Sequence, residues 1–187
     1  TTAANNSVVL SSGAVGTVLS STATSMTVGF DTSPDTMGSL TAVVTTNSLG
    51  SGSGVQVATV KPVVTSSTSN LLANISTMTI SGFGFDSTTP SNNTVQFNNG
   101  AVGTVTAATA TTLTVSFSTK PKAAGSLTAI VTTGGQTSGT AVQVATVKPV
   151  ITSSTSALAA SSNTLTISGF GFDPIASRNT VVLNNSA

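Results

Sequence analysis

The octapeptide Val-Gln-Val-Ala-Thr-Val-Lys-Pro occurs twice, at residues 55–62 and again 87 positions later at 142–149. The same shift lays Gly13-Ala14-Val15-Gly16-Thr17-Val18 on residues 100–105, and Gly38-Ser39-Leu40-Thr41-Ala42 on residues 125–129. It also lays Ser81-Gly82-Phe83-Gly84-Phe85-Asp86 on residues 168–173. One residue then drops out, so that Asn93-Thr94-Val95 aligns with Asn179-Thr180-Val181. A period of this length is too long for a solenoid unit and matches a complete small β-sandwich. The 187 residues therefore hold two periods and a short overlap.

Within one period, apolar and hydroxyl side chains alternate. Thr77-Met78-Thr79-Ile80-Ser81, Thr94-Val95-Gln96-Phe97 and Thr112-Leu113-Thr114-Val115-Ser116-Phe117 follow this rule, as do Ser126-Leu127-Thr128-Ala129 and Val142-Gln143-Val144-Ala145-Thr146-Val147. Period-2 runs separated by Gly, Asn, Ser and Pro clusters read as half-buried strands of an antiparallel sheet. No amphipathic run is long enough for a helix. About seven strands per period predict an all-β chain of two-sheet Greek-key sandwiches. Lys61-Pro62 and Lys148-Pro149 are placed to open the first strand of a unit, where a missing amide donor does no harm.

Composition narrows the chemistry. There is no Cys, His, Trp or Tyr, all four acidic residues are Asp, and only 5% of residues are charged. General acid/base and nucleophilic catalysis need groups this chain largely lacks, which predicts no enzyme, no cofactor and no metal site. Five cations cannot make a phosphate-neutralising stripe, so nucleic acid is not an expected partner. No apolar run approaches the roughly 18 residues of a membrane helix, so membrane insertion is not expected, and no signal-peptide pattern opens the chain. The combination of 38% hydrophobic residues and a net charge of +1 is the reverse of a disordered composition. Ser and Thr fill 67 positions, and Thr with Val favours strands.

These motifs, in this order, resemble the IPT/TIG domain, an immunoglobulin-like module. Its opening Pro and short strand correspond to Pro62-Val63-Val64. Its "I-x-G-x-x-F" signature corresponds to Ile80-Ser81-Gly82-Phe83-Gly84-Phe85 and to Ile167-Ser168-Gly169-Phe170-Gly171-Phe172. The "V-x-F-x-x-G" hairpin runs from Val95-Gln96-Phe97 through Gly100 to Val105, and the "T-x-L-x-V" strand covers 112–115, ending near Pro121. Gly125 then leads into a strand over 127–131 and the turn Thr133-Gly134-Gly135. The family's Gly pair before the signature is replaced by Ala73-Asn74-Ile75-Ser76 and by Ala160-Ser161-Ser162-Asn163. The resemblance covers essentially the whole chain and implies tandem immunoglobulin-like Greek-key sandwiches with an 87-residue repeat. Residues 1–57 are then the later strands of a partial domain, 58–146 a complete one, and 147–187 the early strands of another. Thr1 to Leu10 would align with Ile175 to Leu183, so the chain starts and stops inside a unit. Two arrangements fit: a window of a longer array, or partial domains that complete each other between chains.

The candidate sites are structural. In Gly82-Phe83-Gly84-Phe85-Asp86 and Gly169-Phe170-Gly171-Phe172-Asp173 the glycines are expected to allow a bend and the Phe pair to fill the core. Asp86 and Asp173 are expected to accept backbone hydrogen bonds in the following turn. Read instead as a phosphate loop, the segment lacks the helix that would complete it. Asp31 and Asp35 are close in sequence, but their counterparts 87 residues on carry no carboxylate, so a solvated turn is expected and not a calcium loop. Lys61 and Lys148 have no spacing that singles out a cross-linking Asn. Asn5, Asn74, Asn92 and Asn184 fit the N-x-S/T glycan-acceptor pattern. The functional expectation is a non-catalytic structural module of an extracellular or cell-surface fibre, filament or adhesin stalk, with copies of itself as partner. The alternatives are a glycan- or host-surface-binding module, or an accessory domain of a secreted enzyme.

Overall fold

The computed structural model describes residues 3–184. Among them are seventeen strands, three single-turn 3₁₀ helices and no α-helix, so no helix is long and apolar enough to cross a membrane.

The central region carries nine strands: β7 (Val63–Val64), β8 (Asn70–Leu72), β9 (Thr77–Phe83), β10 (Asn93–Phe97), β11 (Val102–Ala108), β12 (Thr112–Thr119), β13 (Gly125–Thr133), β14 (Gln136–Thr137) and β15 (Val142–Lys148). One sheet has the order β10-β13-β15-β8, with β14 also on β13; the other has the order β11-β12-β9-β7. The count exceeds the seven expected from the pattern by two, and β8 and β14 are only three and two residues long. The two sheets share one core. Met78, Ile80, Leu113, Val115 and Phe117 come from one, and Leu127, Ala129, Val131, Val144 and Val147 from the other. Alternation drives this: β9 buries every second residue from Met78 to Gly82 while Thr79 and Ser81 face out. The ladders are antiparallel with one exception. β15 runs parallel to β8, pairing Val147 with Leu71.

Residues 6–60 make strands β1 (Asn6–Leu10), β2 (Val15–Ser21), β3 (Met26–Thr32), β4 (Gly38–Thr46), β5 (Leu49–Gly50) and β6 (Val55–Val60). β1, β5 and β6 pair with β4, while β2 and β3 form a hairpin. The registers match those of the central region. Asn6 pairs with Thr46 as Asn93 pairs with Thr133. The bulge between Leu40 and Thr41 in β4 has its counterpart between Leu127 and Thr128 in β13. β2–β3 and β11–β12 also share two register shifts at equivalent places. At the other end, β16 (Val150–Ile151) pairs with β17 (Gly169–Phe170), placing Val150 opposite Phe170 as Val63 is opposite Phe83.

One expectation is corrected. The Phe pair of each Gly-Phe-Gly-Phe segment does not go into the core together. Phe85 is buried, but Phe83 and Phe170 are exposed. Strand alternation is the reason: Met78, Ile80 and Gly82 take the inward positions of β9, so Phe83 must point out. Gly84, at φ +75°, then turns the chain and returns Phe85 to the interior. Gly82 makes room for it, because a Cβ there would lie 2.5 Å from the Phe85 Cζ and against the Val63 carbonyl.

Leu127→Ala, at a fully enclosed position, is expected to cost about 3 kcal/mol, and Gly82→Ala about 2 kcal/mol through overpacking. Exposed Thr79→Ala should stay within about 0.5 kcal/mol. Denaturant unfolding followed by far-ultraviolet circular dichroism measures all three; equal midpoints would refute the core assignment.

Candidate functional site

The turn after β9 is held by a carboxylate and a carboxamide. Asp86 Oδ1 accepts from the Thr88 backbone amide at 2.9 Å, the Thr88 hydroxyl at 2.7 Å and the Thr89 amide at 2.9 Å. Its Oδ2 accepts from Asn92 Nδ2 at 2.7 Å. These donors, the Asn92 side chain first and then Thr88 and the backbone amides, hold the Asp86 carboxyl well below the usual carboxylate range. Beneath it lies Asn93, which is buried. Asn93 Oδ1 accepts from the Asp86 amide at 2.9 Å and from the Thr133 hydroxyl at 2.9 Å, while its Nδ2 donates to the Asp86 carbonyl at 2.8 Å. Asn93 thus ties the turn to strand β13.

The pattern returns at the equivalent positions. Asn179 Oδ1 accepts from the Asp173 amide at 3.0 Å, Asn179 Nδ2 donates to the Asp173 carbonyl at 2.8 Å, and Asp173 Oδ1 accepts from the Ile175 amide at 2.8 Å. Arg178 lies 3.6 Å from Asp173 Oδ2. At the first station Thr46 donates to Asn6 Oδ1 at 2.7 Å, as Thr133 does to Asn93. The sequence reading missed this Asn, although its recurrence as Asn6, Asn93 and Asn179 was a visible signal. The Asp86 carboxylate accepts four hydrogen bonds within its turn, and that of Asp173 accepts one beside its ion pair with Arg178.

The second part of the site joins consecutive regions. Gly84 and Gly171 both take left-handed φ, +75° and +74°. A Cβ on Gly84 would lie 2.6 Å from Met37 Cε, and one on Gly171 would lie 2.7 Å from Ala73 Cβ. The Ala124 amide donates to the Gly171 carbonyl at 2.9 Å, and Lys120 Nζ stands 5.3 Å from the Phe170 ring centre. An open cleft of about 570 Å³ runs here, lined by Phe117, Lys120, Pro121, Lys122, Phe170 and Phe172 among others. Gly84 and Gly134 follow β9 and β13, and both face Met37; Ala73 and Ala124 precede the same two strands. The two contacts therefore sit at opposite ends of the central sandwich, and the three regions follow one another in a line.

The remaining expected positions are placed as follows. Asp31 accepts from the Thr17 hydroxyl at 2.8 Å and Asp35 from Thr36 at 3.0 Å. Among the described residues, no three His, Cys, Asp or Glu side chains cluster to hold a metal ion. Asn5, Asn74 and Asn184 are exposed, with the third residue of the Asn184 pattern outside the described residues. Asn92 is also exposed, but its amide already serves Asp86. A second groove of about 570 Å³, bordered by Ser66, Ser69, Thr77, Thr79 and Thr114 among others, holds no charged or aromatic side chain. Comparison with protein-family models, with curated proteins and with solved structures finds no match to this chain.

The Asp86 arrangement has a pH signature. Its folded pKa lies below the unfolded value of about 3.9, so its stabilisation is complete above that value and is lost as pH falls through the acid range. Unfolding midpoints measured between pH 6 and pH 2 should fall at the acid end for the wild-type chain. The Asp86→Asn variant, lower at pH 6, should vary less with pH; parallel curves for the two would refute the assignment.

Proposed function

We propose that this chain is a structural, non-catalytic segment of an extracellular or cell-surface fibre, filament or adhesin stalk, built from tandem immunoglobulin-like Greek-key sandwiches of the IPT/TIG type with an 87-residue period. The observation that carries the reading is the end-to-end junction. Glycines with the same left-handed backbone, Gly84 and Gly171, receive the region that precedes them at two successive positions along the chain. A unit that presents one end to its predecessor and the opposite end to its successor makes a heterologous contact, and such contacts do not close on themselves unless the rotation happens to form a ring.

The surface chemistry supports the same reading. Thr and Ser on outward strand positions keep the sandwich wet without charge, and the absence of His, Cys and Glu leaves little for catalysis to use. Binding hot spots usually present Trp, Tyr or Arg; the only Arg, Arg178, faces Asp173, and the hydroxyl-lined groove offers no aromatic platform for a sugar ring.

Antibodies raised against residues 62–147 should, in immunogold electron microscopy of intact source cells, decorate material outside the cell envelope in strings of regular spacing. Labelling confined to the cell interior would refute this reading.

A further inference from the structure

Two equivalent loops carry opposite charge. Asp31-Thr32-Ser33-Pro34-Asp35 leads from β3 to β4, and Ser118-Thr119-Lys120-Pro121-Lys122 leads from β12 to β13 at the positions 87 residues on. The chain has five cations and four carboxylates, and four of these nine charges lie in this one pair of loops. Elsewhere the sign is kept: Lys61 returns as Lys148 and Asp86 as Asp173, and the one added cation, Arg178, faces Asp173. Among the described residues none of Asp31, Asp35, Lys120 and Lys122 forms an ion pair.

The backbone holds the opposed charges in the same place. The Asp35 amide donates to the Ser12 carbonyl at 3.0 Å, and the Lys122 amide to the Asn99 carbonyl at 3.1 Å. The Asp35 carboxylate lies over Gly13, where a Cβ would be 2.7 Å from Oδ2, and the Lys122 side chain lies over Gly100, where one would be 2.9 Å from Cδ. Each loop has an exposed valine beside it. Val15 pairs with Thr32 and is 56% exposed; Val102 pairs with Thr119 and is 54% exposed. Asp35 and Lys122 are exposed as well. Near-equal exposure in residues 6–60 and in the two-layered centre means that this surface belongs to the loop itself and not to any difference in cover.

We infer that this surface is where two copies of the chain meet side by side, the acidic loop of one on the basic loop of the other, with Val15 of the first against Val102 of the second. The inference goes beyond the scaffold reading and does not depend on it. Surfaces of the same shape approach each other about a local two-fold axis, as in an isologous contact. With like charge, that contact would set Asp35 against Asp35, or Lys122 against Lys122, and repel. The change of sign makes it attractive for one pairing alone, residues 6–60 of one copy against the central sandwich of the other. Charge thus selects neighbours shifted by one period and disfavours unshifted ones. Exposed ion pairs add little affinity each, so the contact is weak and the charges serve to choose the partner.

One chain cannot satisfy itself. Lys122 precedes β13, whereas Met37, two residues after Asp35, faces Gly134 beyond the far end of that strand. The nine residues of β13 keep the loops apart, by roughly 30 Å, several screening lengths at about 0.1 M salt. Lys120 already stands over the Phe170 ring of its own chain, which leaves Lys122 as the cation offered outward.

Exchanging the loops tests this with residues that the fold already holds at the same places. Ser118→Asp/Lys120→Ser/Lys122→Asp makes both loops acidic, and Asp31→Ser/Ser33→Lys/Asp35→Lys makes both basic. In sedimentation velocity at millimolar concentration and about 0.01 M salt, the wild-type chain should self-associate, with an association constant that falls roughly tenfold or more at about 1 M salt. Each variant alone should stay monomeric with unchanged circular dichroism, and an equimolar mixture of the two should associate. A wild-type chain that is monomeric at low salt or associates equally at high salt would overturn the inference. So would a variant that self-associates as the wild type does, or a mixture no more associated than its components. Each of these results leaves the immunogold outcome, and with it the scaffold reading, untouched.

Discussion

A strand whose every second side chain is apolar needs a second layer over that face, and the molecule is organised by where this requirement is met. It is met in the centre, where Ile80 and Leu113 from one sheet oppose Leu127 and Val147 from the other and all four are essentially free of water. At about 25 cal/mol for each Å² of apolar surface removed from water, such side chains supply the dominant favourable term in folding. Toward both ends the same strand sequences occur with part of the cover missing, and the same residue types sit in solvent. Sequence identity at shifted positions, with burial that differs, isolates the contribution of the missing layer from that of composition.

Polar contacts do a different task. With so few ionisable groups, the chain cannot rely on ion pairs, and among the described residues a single one is formed, between Arg178 and Asp173. Direction comes instead from amides and hydroxyls. Asn93, the first residue of β10, sits at the base of the turn after β9, receives the hydroxyl of its cross-strand partner Thr133 in the same sheet, and fixes the path by which the chain leaves the sheet of β9. No buried side-chain polar atom among the described residues lacks a hydrogen bond, which is what a low-charge interior needs in order to stay specific.

Much of this was legible in the sequence. The all-β character followed from alternation; β1–β4 and β10–β13, whose sequences carry shared motifs, pair in matching registers. The failures are local. The Gly-Phe-Gly-Phe string predicts a bend at the glycines with both Phe in the core; the bend is there at left-handed Gly84, but Phe83 precedes it at an outward position of β9 and only Phe85 is returned to the interior. The parallel β15–β8 contact joins short, hydroxyl-rich segments with little periodicity of their own, and it depends on residues more than seventy positions apart, as Val147 with Leu71. Asn93 carries no propensity signal in a chain full of Asn; only its recurrence at equivalent positions marks it.

That parallel pair has a mechanical consequence. β8 lies near the start of the central sandwich and β15 at its end, and they run in the same direction. Tension applied at the two chain ends draws β8 one way and β15 the other along their shared axis. The bonds linking residues 146–148 to 70–72 are then loaded together in shear, so they must break as a group and cannot peel open one at a time. A load along the line of units meets its resistance at the seam where each unit's beginning lies beside its end.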